Sequence, residues 1–238
     1  MLVAAAVCPC PPLLVPELAS GAAPELDGLR EACDTALRAV LAAAPDLLWV
    51  VGPGAEHGAF EDGGTGSFAP YGVDLAVTLG LGDPAEPLPG SLCVGAWLLD
   101  RAGWAGPAKG LAVPDYLEPE LCAANGVRLA GSADRVGLLV LGEGSARRGL
   151  KAPGYLDERA EGFDAVAARG LAGADSGGEL AGLDDELAFE LMASGRAPWQ
   201  VLAGAAADPA TGPLDARLHY QDAPYGVGYF VADWTRAG

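Results

Sequence analysis

The chain carries a short apolar run that ends in a turn, Leu47-Leu48-Trp49-Val50-Val51-Gly52-Pro53-Gly54. An earlier apolar run, Leu2–Val7, ends in the cluster Cys8-Pro9-Cys10-Pro11-Pro12. Both runs are too short to cross a membrane and have the length of buried strands. Between them, apolar residues recur at helical spacing, which predicts a helix over residues 24–44. A strand–helix–strand order of this length predicts two parallel strands joined by a right-handed crossover.

The rest of the chain continues this alternation and predicts an α/β fold. We expect a long glycine-rich loop over residues 56–72, placed at the carboxyl ends of the strands, where ligands bind in open α/β sheets. Neither an internal repeat nor a linker interrupts the sequence, so one domain is predicted over residues 1–238. The other predicted elements are strands at 73–79, 136–141 and 227–232, and helices at 92–102, 118–125 (ended by Gly126), 155–171 and 184–193.

Composition restricts the classes of partner. The chain has 14 basic and 32 acidic residues and a net charge of −18, which disfavours nucleic acid and anionic membranes. Hydrophobic residues make up 51% of the 238 residues, enough for a compact globule. The sequence leaves self-association into a homo-oligomer open.

The five cysteines indicate a reducing compartment. They are odd in number and show no CxxC spacing, which is typical of free thiols rather than of a disulfide framework. The N-terminus has no basic segment before its apolar run, so it predicts a core strand and not a signal peptide. We therefore expect a cytoplasmic protein.

His57 is the first candidate for chemistry, since the chain has only two histidines. It follows the Gly52-Pro53-Gly54 turn, where a loop histidine has the freedom to bind a metal or a substrate. The ordinary alternative is a solvent-facing histidine. Cys10 is the second candidate, because its thiolate could bind zinc together with His57. The alternative for Cys10, and the better interpretation of Cys8, is a buried thiol without reactivity.

A glycine-rich turn after the strand at 136–141 supplies two further candidates, Glu143 and Arg147. Such a turn can hold a carboxylate and guanidinium groups above a pocket, and arginine binds carboxylates with two parallel hydrogen bonds. The alternative is an ordinary loop with a solvated Arg147–Arg148 pair. A serine hydrolase using Ser145 has little support, because Ser145 does not stand in a G-x-S-x-G motif. His219 precedes an aromatic, glycine-containing segment and is expected to have a structural role.

Several segments together resemble one family. The opening Cys8-Pro9-Cys10-Pro11-Pro12-Leu13-Leu14-Val15-Pro16-Glu17 is similar to an HPPLL-x-PE start. With four later stretches it resembles actinobacterial proteins similar to the B subunit of class III extradiol ring-cleavage dioxygenases. Those stretches are 50–54, 142–148, 153–160 and 223–229. The resemblance implies a single three-layer α/β/α domain with a central mixed, mostly parallel sheet.

The resemblance also implies a metal site, and this chain departs from it. Active relatives bind Fe(II) through two histidines and a carboxylate and use a further histidine as acid and base. Cys10 falls where the first histidine ligand stands and His57 near the second, while the turn at 142–148 has Glu143 and Arg147 in place of the catalytic histidine. Gln221 and Asp222 are nearest to the place of the carboxylate ligand. A thiolate at Cys10 would favour Zn(II) over an oxygen-activating iron.

Three hypotheses follow from these residues. In the first, the chain is a dioxygenase-like protein with a degenerate metal site, which binds a small aromatic or carboxylate-bearing molecule, or a partner, without ring cleavage. In the second, it is an active dioxygenase or a zinc hydrolase that uses Cys10, His57 and a carboxylate. The third is the serine hydrolase. The expected cofactor is accordingly either none or one divalent metal ion.

Overall fold

A computed structural model describes residues 1–173 and 178–236. The described strands are β1 (Leu2–Cys8), β2 (Leu47–Pro53), β3 (Gly58–Phe60), β4 (Gly64–Ser67), β5 (Ala76–Leu79), β6 (Ala108–Val113), β7 (Val136–Leu141), β8 (Leu214–Asp222) and β9 (Tyr229–Arg236). Seven of them form one central sheet in the order β3-β6-β2-β7-β1-β9-β8, and β4 and β5 form a separate hairpin. The consecutive strands β6, β2, β7 and β1 are parallel, whereas β3 is antiparallel to β6, and β9 is antiparallel to both β1 and β8.

Helices cover both faces of this sheet. Successive residues of β1 alternate between two hydrophobic clusters, one on each face, because side chains alternate along a strand. The described helices are α1 (Pro16–Ala19), α2 (Asp27–Ala42), α3 (Gly90–Ala102), α4 (Pro119–Ala130), α5 (Ala160–Ala172), α6 (Gly178–Ala181), α7 (Asp185–Glu190) and α8 (Arg196–Ala207). Helices α2 and α3 pack on one face, and α4, α5 and α8 pack on the other. The structure therefore confirms the three-layer α/β/α fold with a mostly parallel sheet.

The predicted elements are confirmed in part. Strands were predicted correctly at β1, β2 and β7, although β7 lies between β1 and β2 in the sheet. The loop predicted at 56–72 is wrong in detail, since it contains β3 and β4. The helix predicted to stop at Gly126 continues to Ala130. The helix predicted from Tyr155 begins only at Ala160, because Tyr155 has a positive φ of 61° in the preceding turn.

No helix in the described part of the chain has the length and hydrophobicity that a transmembrane span requires.

Candidate functional site

The candidate site lies at the carboxyl edge of the parallel strands, where the segments after β2, β6 and β7 converge. A cavity of about 720 Å³ opens there. Its walls include Pro53 at the end of β2, Asp115 after β6 and Arg147 after β7. The end of α7 (Ala188, Phe189, Glu190) and the turn before α8 (Met192, Ala193, Ser194) complete them. This edge is where open α/β sheets bind ligands. We call this space the Arg147 cavity.

Glu143 connects the neighbouring segments at this edge. Its Oε1 accepts a hydrogen bond from the Cys10 main-chain N–H at 2.7 Å, and its Oε2 accepts one from Ser194 Oγ at 2.5 Å. Ser194 Oγ in turn accepts a hydrogen bond from the Glu143 main-chain N–H at 3.0 Å. Glu143 therefore fixes the segment after β1 and the segment before α8 to the end of β7, which is a positioning role.

The thiol of Cys10 lies beside this carboxylate. Burial raises the pKa of Cys10 well above its usual value, and Glu143 raises it further by its charge and by accepting the thiol hydrogen bond. Cys10 is buried and has the Glu143 carboxylate as its acidic neighbour, which is the setting that the buried-thiol interpretation expects.

His57 and Cys10 differ in exposure. The His57 side chain is exposed in the loop between β2 and β3, whereas Cys10 is buried, and neither residue lines the Arg147 cavity. Gln221 and Asp222 are exposed at the end of β8, on the edge of the sheet. Within residues 1–173 and 178–236, no three histidine, cysteine, aspartate or glutamate side chains are grouped so that they could hold a metal ion. The residues present at this edge do not fit an Fe(II) facial triad.

The two arginines of the turn have different environments. Arg148 Nη1 donates to Asp164 Oδ2 at 2.8 Å, and Asp164 Oδ1 also accepts the Ser145 main-chain N–H at 2.8 Å. Burial raises the pKa of Asp164, an effect that these hydrogen bonds and the charge of Arg148 oppose. Arg147 instead lines the cavity and is the one cationic residue among its lining residues. Its buried Nε has no hydrogen-bond partner among the described residues.

Ser145 and His219 both serve the framework. Ser145 is 0% exposed; its hydroxyl donates to Leu191 O at 3.0 Å and accepts the Arg147 main-chain N–H at 3.1 Å. A hydroxyl so enclosed cannot meet a substrate, which argues against the serine hydrolase. His219 on β8 pairs with the buried Asp233 on β9, consistent with its expected structural role.

The wall formed by the end of α7 and the turn after it was not predicted from the sequence. Phe189 and Met192 line the cavity and are exposed, although residues 184–193 were predicted as an uninterrupted helix. Helix α7 ends at Glu190, and Met192 has a positive φ of 56°. The sequence does contain one indication that the helix is interrupted, Gly195, which follows Ser194 directly before α8.

Neither a scan of protein-family models nor a search of curated proteins found a match to the chain. Among solved structures, the chain is similar to the crystal structure of the uncharacterized protein JW3007 from Escherichia coli K12. The two share 14% identity over 98% of this chain and 100% of that chain, with a TM-score of 0.55. At this identity the likeness bears on the fold alone.

Proposed function

We propose that this chain is a relative of the class III extradiol dioxygenases, of the B-subunit type, with a degenerate metal site, and that it binds a small aromatic carboxylate without cleaving a ring. The ligand lies in the Arg147 cavity, with its carboxylate on the guanidinium and its ring against Phe189 and Met192. The free, buried cysteines of the described chain support a reducing, cytoplasmic setting.

The observation that carries this proposal is Arg147, the one cationic residue among the lining residues of the cavity. Arginine offers a planar fork that matches a carboxylate. Small-molecule sites commonly combine apolar walls with a few polar groups that orient the ligand.

The metal site is proposed to be degenerate because of the contacts of Cys10. Its main-chain N–H donates to Glu143 Oε1 and its side chain is buried, and burial together with Glu143 raises the pKa of the thiol. His57 is exposed and lies outside the cavity. These contacts support a small-molecule site over metal-dependent ring cleavage.

Calorimetric titration with benzoate and with neutral benzamide tests the ligand. We expect benzoate to bind the natural chain, and Arg147→Met to weaken that binding at least about tenfold, since the charge-assisted hydrogen bonds are lost. Arg147→Lys should bind with intermediate affinity, and benzamide should bind weakly to all. Exposed Arg38 on α2 provides the control Arg38→Met. Equal binding of benzoate by Arg147→Met and the natural chain, or no binding at all, would overturn the proposal.

Elemental analysis under anaerobic conditions, without chelator or affinity metal, tests the degenerate site. We expect neither iron nor zinc in stoichiometric amount, and no rise in melting temperature with Fe(II) or Zn(II). About one iron per chain, with catechol-dependent oxygen uptake lost in Cys10→Ala/His57→Ala, would restore the active dioxygenase. About one zinc lost in the same variant would restore the zinc alternative.

A further inference from the structure

A second cavity of about 500 Å³ adjoins the Arg147 cavity. The two share Asp115, Phe189 and Glu190 as a common wall, so they form one groove. Beyond the shared wall, the second cavity is lined by Tyr116, Asp185 and Glu186. We call it the acidic cavity, because four of its six lining residues carry carboxylates.

Exposed aromatic rings form the apolar part of the acidic cavity. Phe189 is 66% exposed and Tyr116 is 68% exposed, which is unusual for side chains of this size. The face of an aromatic ring carries negative charge density and attracts a cation such as an ammonium group. Rings that line a cavity together with carboxylates therefore favour a cationic group with an apolar stem.

Three of the four carboxylates are free to meet such a group. Glu190 pairs with Arg159 at 2.6 Å. Within the described chain, Asp115, Asp185 and Glu186 have no cationic side chain at ion-pair distance, in a protein with a net charge of −18. Asp185 and Glu186 also lie in the first turn of α7, where they complement the helix dipole. The helix dipole does not account for Asp115, which lies in the segment after β6, or for the exposed rings of Tyr116 and Phe189.

The groove thus has opposite preferences at its two ends. Arg147 at one end favours an anion, and the acidic cavity at the other favours a cation. We propose that the ligand is an elongated zwitterion, with a carboxylate at Arg147, an apolar middle along Phe189 and an ammonium group in the acidic cavity. This inference rests on the proposed function of the Arg147 cavity.

Two matched ligand series test the proposal: unbranched alkanoates, and the ω-amino alkanoates of the same chain length, from 4 to 12 carbons (chosen to span about 5 to 15 Å between the ends). We expect the amino group to add little to binding in short chains, where it does not reach Asp185 and Glu186. Beyond a threshold length it should strengthen binding about tenfold, because it then reaches the acidic cavity.

Substitutions assign that gain to the acidic cavity. In the variant Asp185→Asn/Glu186→Gln, the increase in affinity that the amino group gives (the amino gain) should fall at least threefold. Plain alkanoates should bind this variant as well as before, and that binding also shows that the variant is folded. The control Glu17→Gln/Glu31→Gln removes two exposed carboxylates elsewhere and should retain the gain. Binding of plain alkanoates without an amino gain at any length would overturn the zwitterion and leave the proposed function standing. Failure of both series would overturn both proposals.

Discussion

Two residues of one turn, Glu143 and Arg147, acquire different roles from their surroundings. Glu143 has hydrogen-bond donors from Cys10 and Ser194 on its two carboxylate oxygens, and its role is to hold segments together. Arg147 is instead the cationic residue in the wall of the cavity, and its buried Nε has no partner among the described residues. Satisfied polar groups stabilise a structure, so Glu143 should matter for stability and Arg147 for the proposed ligand.

Glu143→Gln should destabilise the protein by about 1–3 kcal/mol, because an amide places an NH₂ group where one of the present donors points. Urea unfolding would measure this as a lower midpoint with an unchanged slope. Glu158→Gln is the control, since Glu158 is exposed in the neighbouring turn. A midpoint for Glu143→Gln within error of the control would show that the bridge contributes nothing to stability.

Asp157 predicts a pH dependence in acid. Hydrogen bonds from Arg159 lower the pKa of Asp157 to about 2 from its ordinary 3.8. The folded state therefore binds a proton less readily than the unfolded state does, so Asp157 contributes stability that is present above about pH 4 and lost as pH falls through about 2. Asp157→Asn should lower the urea midpoint at pH 7 and converge with the natural chain towards pH 2. Asp215→Asn, at an exposed position, should differ from the natural chain by the same small amount at each pH. If the difference in urea midpoint between Asp157→Asn and the natural chain stays constant from pH 7 to pH 2, then Asp157 is not the source of the pH dependence.

At the scale of elements, the contact between α4 and α8 depends on two glycines. A Cβ on Gly126 would lie 2.0 Å from Val201 O, and one on Gly204 would lie 2.2 Å from Ala123 O. The two helix backbones therefore approach more closely than any side chain permits. Gly126 is a packing residue inside α4, which explains why its interpretation as a helix stop was wrong.

Gly126→Ala should destabilise the protein by about 2 kcal/mol or more, because the backbone of α8 cannot yield as a flexible side chain could. Gly162→Ala is the matched control within α5, where a Cβ would meet nothing within 4 Å. It should stabilise by up to about 1 kcal/mol, since alanine favours the helix. In thermal unfolding, Gly126→Ala should have a lower Tm than the natural chain, and Gly162→Ala should have a higher one. Two changes of the same sign would contradict this packing argument.

The same elements show what sequence patterns can and cannot predict. Strands β1, β2 and β7 were predicted because each is a short, bounded run of apolar residues. Helix α8 was missed because nearly all its residues are buried, so it has no polar face to give a period. In the site, the turn after β7 indicated Glu143 and Arg147. Ser194, the hydrogen-bond partner of Glu143, stands 51 residues from it in the sequence, and only the fold brings the two together.

For the whole molecule, charge is the dominant long-range term. Of the 32 acidic residues, seven form ion pairs with arginine or lysine within the described part of the chain, and the net charge is −18. Folding brings these carboxylates closer together than they are in the unfolded chain, so repulsion opposes the compact state. The Debye length falls from about 30 Å at 0.01 M salt to about 8 Å at 0.15 M. Salt therefore screens distant repulsion more than it screens ion pairs in direct contact.

Raising NaCl from about 0.01 M to about 0.15 M should accordingly raise the urea midpoint. KCl should give the same rise, because the effect depends on ionic strength rather than on a bound cation. Glu17→Gln/Glu31→Gln, which lowers the net negative charge by two, should be more stable at low salt and show a smaller rise. A midpoint that falls as salt increases would mean that the ion pairs outweigh the repulsion, and the excess acidity would then need a local explanation such as the acidic cavity.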